Sequence, residues 1–280
     1  MATLDELRAE IDRIDGEILE LLIRRIRLAG DIARRKAEHG DGPVVRPARE
    51  AAILRRLVEL AAGRFPADAL VRIWRELFAA TGRAQRPYAV AVHARSCAER
   101  EVVRDHLGSV VPLLRADSCA HALRLVRDGR AELAVLPLDE ATAGWWWRFA
   151  EAGGDGLGAA ARLPFLVRGD DLPPLFLVGR VPLEPSGRDR TLLALLTEHG
   201  LSRSRLAEVL ARAGDVPALL AATETPEGTV HFVEVEGFHS AADPRLGPLL
   251  APLADRLLRR VVLGAYPRPM APPAPSTRTP

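Results

Sequence analysis

The feature that most constrains this chain is a heptad seam near its N-terminus. Leu4, Leu7, Ile11, Ile14, Ile18, Leu21, Leu28 and Ile32 fall at a and d positions, interrupted at Arg25 and ending before Arg35. The spacing predicts one helix from Leu4 to about His39, where the "HGDGP" of residues 39–43 breaks it. Roughly 36 residues at ~1.5 Å each would extend some 54 Å. A domain of ~90 residues cannot cover that length by itself, so a second copy of the chain is expected against it.

Two more helices are expected next: Pro47–Gly63, with proline in its first turn and glycine at its end, and Pro66–Gln85, again opened by proline. Residues eleven apart on a helix differ by roughly 20° after three turns, so Arg25 and Lys36 share a face about 16 Å apart. Arg8 leans about 100° away from Arg25, toward a different neighbour, and could reach a second chain in an antiparallel pair. Arg49 and Glu50 open the second helix, and Thr81 and Gln85 form an i,i+4 pair near the end of the third. Brought together, these residues make a small, positive, apolar-walled pocket with one carboxylate and one amide. Arginines on helices usually face solvent. An arginine on the seam itself costs stability unless it is paired, and an anionic ligand is the partner expected for Arg25.

These residues carry a resemblance. Segment 4–86, through "LDELRAEIDRIDGEILELLIRRIRLAGDIARRK", "PVVRPAREAAILRRL" and "IWRELFAATGRAQ", resembles the all-helical chorismate mutases. The resemblance implies an intertwined homodimer that rearranges chorismate to prephenate, with no cofactor and no covalent intermediate. It implies that Arg25 and the partner subunit's Arg8 bind the two carboxylates of the substrate, with Arg49 assisting. Lys36 and Gln85 would donate to the breaking ether oxygen, and Glu50 would accept from the ring hydroxyl. Thr81 stands where serine is frequent, its hydroxyl within reach of the ligand. One position departs: Arg46 replaces an aspartate common in the family.

After "RPYAVAV" the period changes. Strand-like runs at Tyr88–Val92, Ala134–Leu138 and Phe176–Val178 alternate with helical stretches such as "SCAHALRLVRDG", an α/β pattern. A further β-α-β-β-α-β order follows "PLEPSG", with "PLLAPLADRLLRR" read as its second helix. This C-terminal part resembles, more weakly, a prephenate dehydratase with an ACT regulatory domain. Pro174, Leu175 and Phe176 stand where that enzyme carries Thr-Arg-Phe, and only about two dozen residues remain for its second lobe. Both departures argue against dehydration. The expected partition is a mutase domain at 1–87, a truncated dehydratase-like region at 88–185, an ACT-like domain at 186–267 and a disordered tail at 268–280.

Composition excludes several classes. Lys+Arg 39 against Asp+Glu 37 gives no global reason to expect nucleic acid or a membrane surface as partner. The histidines lack metal-ligand spacing, so no metal is expected. Cys97 and Cys119 form no CxxC, no apolar run reaches the ~20 residues of a membrane span, and the cytoplasm is the expected compartment. "GGDGLG" at 153–158 reads as a flexible linker and "WWW" at 145–147 as aromatic packing. The expectation is a cytoplasmic dimeric chorismate mutase of the aromatic amino acid pathway. The alternatives are a bifunctional mutase/dehydratase, or a non-catalytic regulatory partner that binds an aromatic amino acid effector or another shikimate-pathway enzyme.

Overall fold

A computed structural model describes residues 2–37, 43–167, 172–214 and 217–271, apart from the side chains at 36, 37 and 155. The heptad run forms a single helix, α1 (Leu4–Ala37). It begins with a reciprocal cap: the Thr3 N–H donates to Glu6 Oε2 at 2.7 Å, and the Glu6 N–H donates to Thr3 Oγ1 at 3.2 Å. Its seam residues from Leu4 to Ile32 stay 41–63% exposed, an apolar stripe that the chain's own fold leaves uncovered.

Helices α2 (Pro47–Ala61) and α3 (Ala67–Gln85) lie beside one another. Proline opens α2, and Ala62 closes it in the left-handed region at φ 48°, its N–H reaching Val58 and Glu59 carbonyls. Ala51, Leu54 and Val71 bury their side chains with Phe165 and Leu166 of the following region, so the helical segment is packed onto the rest of the chain.

The first sheet has the order β2-β1-β3-β5-β4, from β1 (Val90–Val92), β2 (Leu113–Arg115), β3 (Leu133–Pro137), β4 (Gly158–Leu163) and β5 (Leu175–Gly179). Strands β1, β2 and β3 run parallel, and β5 pairs antiparallel with both β3 and β4. Helices α4 (Cys97–Leu107), α5 (Cys119–Arg127) and α6 (Glu140–Glu151) connect them. Ser96, Ser118 and Asp139 cap their N-termini by accepting backbone N–H bonds, as these residue types favour.

The second sheet, order β7-β8-β6-β9, is antiparallel throughout. It comprises β6 (Asp189–Thr197), β7 (Ala218–Thr225), β8 (Gly228–Glu236) and β9 (Leu257–Pro267), with α7 (Arg203–Arg212) and the short α8 (Leu246–Leu250). One of its faces shares a core with the first sheet, where Trp146, Phe176, Leu192, Phe232 and Tyr266 meet. The two sheets approach so closely at Gly264 that a Cβ there would lie 2.1 Å from the Ala159 carbonyl oxygen.

Three expectations need correction. "PLLAPLADRLLRR" is not one helix: Pro252 cannot donate to a helical ladder, α8 gives way to a 3-10 turn at Ala251–Leu253, and Leu257–Arg260 join β9 opposite β6. Residues 268–271 are ordered, not a disordered tail, because the Met270 N–H donates to Phe165 O at 2.6 Å and Met270 packs on the Phe165 cluster; residues 272–280 lie outside the described residues. "GGDGLG" is no linker, since Gly153–Gly156 make a 3-10 turn and β4 starts at Gly158. The Ala-rich β4 has little strand signature in the sequence, because alanine carries little strand preference. The "WWW" run does pack as an aromatic group: it lies on α6, where buried Trp146 donates from Nε1 to Pro137 O at 2.8 Å.

Candidate active site

A cavity of about 450 Å³ opens between α1, the turn before α2, and the outer face of α3. Six polar side chains line it: Arg25 from α1, Arg46, Arg49 and Glu50 from the start of α2, and Thr81 and Gln85 from the last turns of α3. Leu28, Ile32, Val44, Ile53 and Phe78 supply the apolar wall. A few convergent polar groups in an apolar concavity of this size suit a small, charged ligand.

The helical periods explain the convergence. Phe78, Thr81 and Gln85 succeed one another at three- and four-residue steps on one face of α3, against which α1 lays Arg25. The Arg25 guanidinium donates from Nη1 to Thr81 Oγ1 at 2.8 Å and sits 5.6 Å from the centre of the Phe78 ring. Burial lowers the pKa of Arg25 from its usual value, and the neighbouring Arg49 charge lowers it further. Among the described residues neither Arg25 nor Arg49 has a carboxylate partner. The cavity therefore holds two mutually repelling cations that an anion would relieve.

Arg46 behaves differently. Its Nη2 donates to both Glu184 oxygens at 2.8 Å, tying the start of α2 to the segment before β6. Glu50 is already engaged too: Oε2 accepts from Arg75 Nη1 at 2.7 Å. Arg8 lies away from the cavity of its own chain, exposed and 3.4 Å from Asp5. Lys36 lies on α1, but its side chain falls outside the described residues.

Residues 7–86 match the family model described as "Chorismate mutase type II". The chain carries a chorismate mutase type II domain. Among curated relatives, a bifunctional chorismate mutase/prephenate dehydratase of Neisseria gonorrhoeae is 31% identical over 147 residues, covering 51% of this chain and 40% of that protein. A 4-amino-4-deoxychorismate mutase of Streptomyces venezuelae is 43% identical over 65 residues, 23% of this chain and 57% of that protein. Among solved structures, a prephenate dehydratase from Streptococcus mutans aligns with TM-score 0.44 and 12% identity, over 64% of this chain and 97% of that one. The chain spans less than half the length of the bifunctional relatives it matches.

Outside the mutase domain, the carboxyl ends of β1 and β3 hold a second charged cluster. Arg95 pairs there with Asp139, and also lies 3.4 Å from buried Glu99. Burial pushes the Asp139 carboxyl up, but the Arg95 guanidinium and Thr142 outweigh it and hold it below its usual range. Pro174, Leu175 and Phe176 place only apolar side chains at the start of β5, the latter two fully buried. Among the described residues no helix is long and apolar enough to cross a membrane.

The sequence reading missed Arg55 and Arg75, two buried arginines on α2 and α3. The signal was present for Arg75. Val71, Arg75, Ala79 and Gly82 form the buried stripe of α3, so a charge interrupts an apolar face there as it does at Arg25.

Proposed function

We propose that the protein is a homodimeric chorismate mutase that converts chorismate to prephenate in aromatic amino acid biosynthesis. The observation that carries this reading is the gathering of Arg25, Arg49, Glu50, Thr81 and Gln85 around one cavity of about 450 Å³, where Arg25 and Arg49 lack carboxylate partners among the described residues. Chorismate is a dianion, and its enolpyruvyl arm reacts only when folded over the ring, so fixed cations select the reactive conformer. Arg25 and Arg49 hold one carboxylate and the partner subunit's Arg8 the other, the guanidinium fork matching each. As the ether C–O bond breaks and the new C–C bond forms, negative charge grows on the ether oxygen. Lys36 and Gln85 donate to it, and Glu50 accepts from the ring hydroxyl.

The exposed seam of α1 supports a dimer in this reading, a second copy covering the seam and delivering its Arg8. Two free cysteines suit a reducing compartment, and we place the enzyme in the cytoplasm. Dehydration is not part of this reading, because the start of β5 offers neither hydroxyl nor guanidinium. The test follows chorismate loss by absorbance with pure protein, and assays for phenylpyruvate once prephenate has formed. Chorismate loss without phenylpyruvate supports the reading; no loss with substrate in roughly hundredfold excess over enzyme refutes it.

A further inference from the structure

Arg75 is the most buried arginine on α3, 4% exposed, and it does not line the mutase cavity. It lies at the seam between the helical domain and the first sheet. Its guanidinium stands 5.5 Å from the centre of the Phe165 ring, on the segment that follows β4. Buried His106 of α4 is close enough that the Arg75 charge, added to burial, drives its pKa well below the usual value, so the imidazole is neutral there. Among the described residues neither Arg75 Nε nor His106 Nδ1 has a hydrogen-bond partner. A guanidinium in such surroundings is costly, and the 2.7 Å charge-assisted bond from Nη1 to Glu50 Oε2 offsets much of that cost.

That bond has a consequence on the cavity side. Among the described residues Glu50 Oε1 accepts no hydrogen bond, while Oε2 is committed to Arg75. A carboxylate pinned at one oxygen by a charge-assisted bond has a fixed rotamer and offers the other oxygen at a fixed place. We propose that Arg75 is the positioning residue for Glu50 in the mutase pocket, backed by the Phe165 ring of the α/β region. The C-terminal region is then a structural part of the mutase site. This inference rests on the mutase reading above, in which Glu50 receives the ring hydroxyl.

The test is steady-state kinetics on the full chain for the wild type, Arg75→Met, Arg75→Lys, Glu50→Gln and the Arg75→Met/Glu50→Gln double variant, with circular dichroism on each. A hydroxyl contact made equally in ground and transition states appears in KM. Arg75→Met is expected to raise KM about tenfold with kcat within about threefold, and Arg75→Lys to recover part of that loss. Added to Glu50→Gln, the Arg75→Met change should cost less than about twofold more, because its effect passes through Glu50. Should Arg75→Met fail to fold, Arg75→Gln, which keeps an N–H donor, takes its place in the same cycle. Independent losses that multiply in the double variant, or a fall in kcat at unchanged KM, overturn the assignment of Arg75 while leaving the mutase reading intact. A wild type without turnover overturns both.

Discussion

Two arginine sites in this chain differ in their electrostatics. In the helical cavity, burial and the neighbouring Arg49 charge lower the pKa of Arg25, whose guanidinium meets a hydroxyl, an aromatic face and open space. At the carboxyl ends of β1 and β3, Arg95 is held between Asp139 and Glu99. The first arrangement stores unfavourable charge that a ligand can relieve; the second has relieved it internally. A binding site is recognised here by incomplete compensation, not by the presence of arginine. The strand-end cluster occupies the place where open α/β sheets usually bind ligands, and the chain has closed it with its own carboxylates.

Replacement tests that contrast most directly. Arg25→Ala should lower kcat/KM for chorismate by about 100-fold or more, a typical cost of one preorganised charge contact. Its denaturant midpoint should be unchanged or slightly higher, since the repulsion with Arg49 disappears. Near-normal turnover in this variant would remove the functional half of the comparison. Arg55→Met should show the largest loss of stability, about 2–3 kcal/mol by urea titration. Arg55 donates to the Ser186, Arg188 and Arg268 carbonyls at 2.8–3.3 Å, so it joins α2 to the chain entering β6 and the chain leaving β9, and its removal strands those acceptors.

A smaller effect concerns pH. His106 has a folded-state pKa well below its usual value, from burial first and Arg75 second. The unfolded chain therefore binds the extra proton as pH falls through ~6.5, and stability should decline below that point by up to ~1.4 kcal/mol per pH unit. Unfolding titrations between pH 7.5 and pH 5 should show a shallower decline in His106→Gln; an unchanged slope would show that His106 does not stay neutral. The smallest effect is expected at the compensated cluster. Arg95→Gln should cost about 1 kcal/mol in stability and leave chorismate turnover within about twofold of wild type. Loss of turnover there would mean that the strand-end cluster serves the reaction after all.

The three N-terminal helices could be read directly, because apolar period and proline openings are local properties. The seam of α1 and the step from Thr81 to Gln85 needed only 3.6-residue geometry. The failures were also local in origin. Leu257–Arg260 carry helix-forming side chains, yet their backbone completes the β6–β9 ladder after Pro252 has ended the helix. The Ala-rich β4 has almost no strand signature and is held by β5 on one side and contact with β9 on the other.

The positions of charge along three amphipathic helices are enough to specify a pocket, since spacing alone puts Arg25, Thr81 and Gln85 on inward faces. What neighbours those charges was decided by tertiary structure. Arg46 found Glu184 across the chain, and Glu50 found Arg75 on another helix. Arg55 found carbonyls more than 100 residues away. Periodicity fixes the side of a helix a residue occupies. Whether its charge is met by a carboxylate or left for a ligand depends on which distant segment packs there, and that is a property of the folded chain.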